Sequence, residues 1–129
     1  MSRMVKTLVL ASFLAIVACS SGGGGGPSTS GNGSCVATSG GMVITCTDFG
    51  AGFNANNVMQ LCSTSMGTFS TGSCPSANRV GRCEVTETRG SVTAGDAVSI
   101  YAPASAAQAM MVCNSENGVN GVTTTWVPN

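Results

Sequence analysis

The chain of 129 residues contains seven cysteines and no histidine, so its capacity for covalent chemistry lies almost wholly in sulfur. Six of the cysteines, Cys35, Cys46, Cys62, Cys74, Cys83 and Cys113, fall in the last three quarters of the chain. Zinc would need Cys and His at close, paired spacing, and the chain has neither histidine nor a C-x-x-C step. A thiolate nucleophile would need a neighbouring cation to lower its pKa, and no lysine or histidine stands near any of the six. What remains is oxidation in pairs. An even number of cysteines in a domain of under 100 residues reads as three disulfides.

The other routes to catalysis close quickly. Without histidine there is no Ser-His or Cys-His pair, and no G-x-S-x-G step occurs. Glu84 and Glu87 are three residues apart, which on a strand puts them on opposite faces, so the expected partners are Arg82 for Glu84 and Arg89 for Glu87. The glycine run 22–26 lacks the strand and helix that flank a phosphate loop. Five basic residues balance five acidic ones and only 8% of residues are charged, which leaves no basic stripe for nucleic acid. The expectation is therefore no enzyme, no metal and no cofactor.

Six cysteines allow 15 pairings, and an internal pattern narrows them. Gly33-Ser34-Cys35-Val36-Ala37-Thr38 and Gly81-Arg82-Cys83-Glu84-Val85-Thr86 share the form G-x-C-x-x-T. Ala55, Met59 and Cys62 match Ala106, Met110 and Cys113 as A-x-x-x-M-x-x-C, at nearly the same distance downstream. If the two stretches are copies of one unit, equivalent cysteines pair equivalently, as Cys35–Cys62 and Cys83–Cys113, leaving Cys46–Cys74. The alternative joins neighbours, Cys35–Cys46 and Cys62–Cys74.

The elements that must position these sulfurs follow the same repeat. Residues 35–38 and 42–48, around Ser39-Gly40-Gly41, form a hairpin in which Met42, Ile44 and Cys46 share a face. Residues 55–66 have helical spacing at Ala55, Val58, Met59, Cys62 and Met66, with Asn54 as N-cap and Gly67 as terminator. The second copy has strands at 80–87 and 97–101. A helix stripe follows at Ala106, Ala109, Met110 and Cys113, opened by Ser105 and Gln108 as a capping box. Asn117-Gly118 and Asn120-Gly121 turn into a last strand at 122–127. The fold class is α+β: a small disulfide-stapled domain over 35–129, made of two hairpin–helix–strand units from an internal duplication. In both helices the cysteine lies on the apolar stripe and should reach down to the sheet. Met42, Met59, Met66, Met110 and Met111 are expected to fill gaps in a light core.

The first 18 residues have a different character. Arg3 and Lys6 precede an 11-residue apolar run, Leu8 to Ala18, about half the length of a membrane span. The run ends in Ile16-Val17-Ala18-Cys19, which resembles the lipobox of bacterial lipoproteins. The resemblance implies removal of a signal peptide, 1–18, and attachment of a diacylglycerol to the Cys19 thiol, followed by acylation of the new amino terminus. A chain carrying several acyl groups is stably anchored to a membrane. Ser20 in place of aspartate implies sorting to the outer membrane, with the face undetermined. Residues 19–34, with no large apolar side chain, form the lipidated flexible tether.

The body also resembles small cysteine-rich envelope lipoproteins of unassigned function, through Gly67-Thr68-Phe69, Cys74-Pro75 and Val80-Gly81-Arg82-Cys83. The expected function is a lipid-anchored structural or interaction component of the envelope. The alternative is a binding module for cell-wall glycan or an envelope protein, using Tyr101 and Trp126 as a stacking platform beside the loop 114–121. Trp126 shares a strand face with Val122 and Thr124, which favours packing for that residue.

Overall fold

The computed structural model describes residues 32–50 and 52–129. The expected signal peptide 1–18, Cys19 and all but residues 32–34 of the expected tether lie outside the described residues. Strands β1 (Ser34–Ser39) and β2 (Met42–Phe49) form a hairpin, followed by helix α1 (Ala55–Thr64) and a short strand β3 (Thr68–Ser70). The order then repeats: β4 (Arg79–Arg89) and β5 (Val92–Tyr101) form a hairpin, followed by α2 (Ala106–Ser115) and β6 (Val122–Pro128). All six strands join one antiparallel sheet in the order β3-β1-β2-β5-β4-β6. The two hairpins meet at β2 and β5, and each unit's last strand lies outside its first.

The register makes this arrangement concrete. Phe69 pairs with Cys35, Cys35 with Thr47, Thr47 with Val98, Val98 with Cys83, and Cys83 with Trp126. Directly paired residues share a sheet face. One row therefore crosses the whole sheet as aromatic, cysteine, two β-branched residues, cysteine, aromatic. Cys35 and Cys83 bond Cys62 of α1 and Cys113 of α2, so both helices lie on this face.

Local chemistry explains the element ends. Asn54 Oδ1 accepts the Asn57 backbone N–H at 3.0 Å, and Ser105 Oγ accepts the Gln108 N–H at 3.2 Å, so the helices are capped by the same device. α1 stops at Thr64, earlier than its apolar spacing predicts, because Met66 takes a positive φ of 59°. β5 begins at Val92, five residues before the predicted start: Ala94-Gly95-Asp96 has little intrinsic strand preference and is held by pairing with β4, by the Asp96–Phe49 pair with β2 and by the Gly50 N–H bond to Gly95 O. The domain also begins slightly before Cys35. Ser34 is buried in β1, where its hydroxyl donates to the Gly72 carbonyl at 2.8 Å, and the Asn32 side-chain amide donates to the Gly50 carbonyl at 2.7 Å. Asn32 and Ser34 thus pack against the domain.

Among the described residues the interior consists of three small clusters, and a disulfide sits in each. Cys35–Cys62 packs with Phe49 and Val58; Cys83–Cys113 with Val85 and Val98; Cys46–Cys74 with Tyr101. The first two fasten the helices to the sheet. The third, on the opposite face, fastens the segment 71–78 between β3 and β4. None of the methionines expected in the core is there. All five are exposed: those at the helices because, among the described residues, the helices form the outermost layer on their side. In β2, Ile44 is an extra residue between the Ala37–Thr45 and Thr38–Val43 pairs, which breaks the alternation that would have placed Met42 beside Cys46.

Candidate functional site

The three bridges have Cα–Cα distances of 5.4 Å for Cys35–Cys62, 5.7 Å for Cys46–Cys74 and 5.6 Å for Cys83–Cys113, all within the ordinary span of a disulfide. Joining neighbours, the alternative pairing, is not what the fold does. Each closes a loop of 27, 28 or 30 residues, a length that removes about 3.5 kcal/mol of unfolded-chain entropy in the loop-closure picture.

Tyr101 and Trp126 do not form a platform. Trp126 belongs to the row that faces the helices, where its half-buried ring packs against the Cys83–Cys113 cluster. Tyr101 lies on the other face, only 2% exposed, and its hydroxyl donates to the Pro75 carbonyl at 2.6 Å. Burial raises the Tyr101 pKa. Two rings on opposite faces of one sheet cannot stack on one ligand, and Tyr101 is removed from the binding candidates. The loop after α2, proposed as its flank, is occupied with its own chain: Asn117 Oδ1 accepts the Thr124 N–H at 3.0 Å, and the Gly118 N–H donates to Val122 O at 2.8 Å.

The polar groups that do come together are carboxylates. Arg82 Nη2 meets Glu84 Oε1 at 2.9 Å, and Arg89 Nε pairs with Glu87 Oε1, the two partnerships expected from the chain. Across the sheet, Asp96 stands opposite Val85 on β4 while Glu87 stands opposite Ala94 on β5. The two acids are therefore diagonal neighbours on the helix side, both under 10% exposed. Burial, followed by the nearby Glu87 charge, raises the Asp96 pKa to about 7. Among the described residues Asp96 has no ion-pair partner, whereas Glu87 has Arg89. A third buried acid, Asp48, lies on the opposite face. Its Oδ1 accepts the Cys74 N–H at 2.8 Å, and its pKa is raised by burial against that hydrogen bond and the Arg79 and Arg82 charges.

Sequence spacing missed the Asp96–Glu87 pair because the residues are nine positions apart and meet only through the β4–β5 register. The one signal for it was the turn at Arg89-Gly90-Ser91, which would have set that register had β5 been extended back to it. An acid that holds a proton near neutrality, packed between apolar neighbours, is a pH-responsive element of the fold. Its burial separates it from any substrate in solvent.

No family model, no curated protein and no solved structure matches this chain. Among the described residues no helix is long and apolar enough to cross a membrane.

Proposed function

We propose that the chain is an exported bacterial lipoprotein, cleaved before Cys19 and anchored through that residue, whose disulfide-stapled α+β domain serves the outer membrane or its periplasmic space as a structural or interaction component. The observation that carries this reading is that every core cluster is built around a cystine. A domain whose interior depends on three oxidised pairs suits an oxidising compartment. The stretch Ile16-Val17-Ala18-Cys19 supplies a route there, and acyl chains on Cys19 would supply the attachment. The matched G-x-C-x-x-T and A-x-x-x-M-x-x-C stretches, with the repeated order of elements, support an origin by duplication of one hairpin–helix–strand unit. The proposed partners are the lipid leaflet, through Cys19, and an envelope protein.

The test is intact mass and fractionation of the full chain expressed in a diderm bacterium. The reading expects a membrane-bound species that begins at Cys19, carries acyl chains and gains six hydrogens on reduction. Cys19→Ala should release the protein from the membrane. A cytosolic, compactly folded chain with six free thiols would overturn the proposal.

A further inference from the structure

We propose that Met42, Met59, Met66, Met110 and Met111 are S-oxygenation sites for peroxide-class oxidants, and that the fold accepts oxygen at all five without loss of structure. Methionine is ordinarily a core residue, a flexible filler of gaps. Here the exposure of these five side chains runs from 42% at Met110 to 94% at Met66, and none belongs to a core cluster. Met59 and Met110 occupy matching places, each three residues before the cysteine that pins its helix. Met111 lies beside Met110 on α2, Met66 follows the end of α1, and Met42 opens β2.

The second observation concerns the competing sulfur. All six cysteines of the domain are in disulfides, so no thiol among the described residues would intercept an oxidant first. Among the described residues the thioethers are the reduced sulfur left for it to meet. In the reaction the Sδ lone pair attacks one peroxide oxygen, the O–O bond breaks, an S–O bond forms, and the departing oxygen leaves as water after proton transfer. Sulfur is oxidised by two electrons and the peroxide is reduced by two. The sulfoxide is polar and would disrupt a core. On an exposed side chain it is simply hydrated. The division of labour is consistent: oxidised sulfur holds the interior, and reduced sulfur faces the solvent, where each domain consumes up to five equivalents of oxidant.

The experiment treats the purified full-length protein with graded hydrogen peroxide. Intact mass and peptide mapping follow oxygen uptake, while circular dichroism and thermal melting follow the fold. The expected result is one oxygen on each of the five residues, with the rate highest at Met66 and lowest at Met110. The melting temperature of the fully oxidised domain should stay within about 2 °C of the untreated one, less than the shift for 1 kcal/mol in a domain this size. A variant with all five changed to leucine should take up no oxygen at these positions; single Met66→Leu and Met110→Leu variants, each losing one addition, serve if the combined variant does not fold. Protection of any of the five at oxidant levels that saturate free methionine, or a fall in melting temperature beyond about 5 °C, would overturn the proposal.

Discussion

Trp126 lies over Gly81: a methyl group placed on Gly81 would come within 2.2 Å of the indole Cζ2. The counterpart in the first unit is Phe69 over Gly33, where the added carbon would lie 2.6 Å from the ring Cε2. Each aromatic ring belongs to the outer strand and pairs with the cysteine two residues beyond its glycine. The glycine of the G-x-C motif is thus the floor on which the aromatic ring rests, and the cysteine beside it fastens the helix.

Gly81→Ala should therefore push the Trp126 ring outward. The expected cost is about 1–3 kcal/mol, as for other overpacked sites, with a red shift of tryptophan emission as the ring gains solvent. Gly33→Ala should be costly as well, since Gly33 has a φ of 94°, but should leave the emission of the distant Trp126 unchanged. Equal emission changes in both variants would show that the ring contact is not the cause.

The pH dependence follows from the buried acids. The folded-state pKa of Asp96 is raised to about 7, above the ordinary aspartate value of 3.8. A carboxylate raised in this way favours the folded state in its protonated form. Its contribution is fully present below about pH 4 and is lost as pH rises through about 7. Asp48 is raised as well, so its contribution has the same sign. Chemical denaturation should give higher stability at pH 5 than at pH 8, by up to a few kcal/mol, since each tenfold change in proton affinity is worth about 1.4 kcal/mol. Asp96→Asn should flatten most of that slope and gain stability at pH 8. A stability maximum at pH 8 in the parent protein would contradict the Asp96–Glu87 account.

The bridges differ in what they hold. Cys46–Cys74 ties down a segment without a regular element, together with the Tyr101 hydroxyl bond to Pro75 and the Cys74 N–H bond to Asp48. Replacing both cysteines by serine should lower stability by about 3 kcal/mol. It should also open 71–78 to limited proteolysis while leaving the helices in place. Replacing Cys83 and Cys113 should instead free α2 and expose Trp126. Cleavage at the same site in both double variants would show that the bridges do not act on separate parts of the domain.

How much of this was legible in the chain depends on the range over which the cause acts. The caps at Asn54 and Ser105 and the Gly40-Gly41 turn are set within a few residues and could be read directly. The like order of elements in the two halves was legible because the distances between G-x-C and A-x-x-x-M-x-x-C, 27 and 30 positions from cysteine to cysteine, are nearly the same. β3 was not located, since a three-residue strand has too little pattern and exists by pairing with β1. The opposite faces of Tyr101 and Trp126 depend on registers that run across β5, β4 and β6, and the meeting of Asp96 with Glu87 has one local signal, the turn at Arg89-Gly90-Ser91. Four of the exposed methionines lie at or beside the helix stripes and Met42 opens β2, and among the described residues no further layer covers them.

That dependence on register gives the outer edge of β6 its own test. An open strand edge carries unpaired N–H and C=O groups that invite further strands. Here the first half of the edge is occupied: Thr124 N–H donates to Asn117 Oδ1, Val122 O accepts from Gly118, and the Thr124 hydroxyl donates to Cys113 O at 2.7 Å. Asn117 thus takes the place that a neighbouring strand would fill. Asn117→Ala should lose about 1 kcal/mol, the usual net worth of such a bond, and should speed amide exchange at Thr124 several-fold. Asn117→Asp keeps an oxygen acceptor at the same reach and should restore most of the protection. If the alanine variant leaves Thr124 exchange unchanged, the strand edge is held by its pairing with β4 alone.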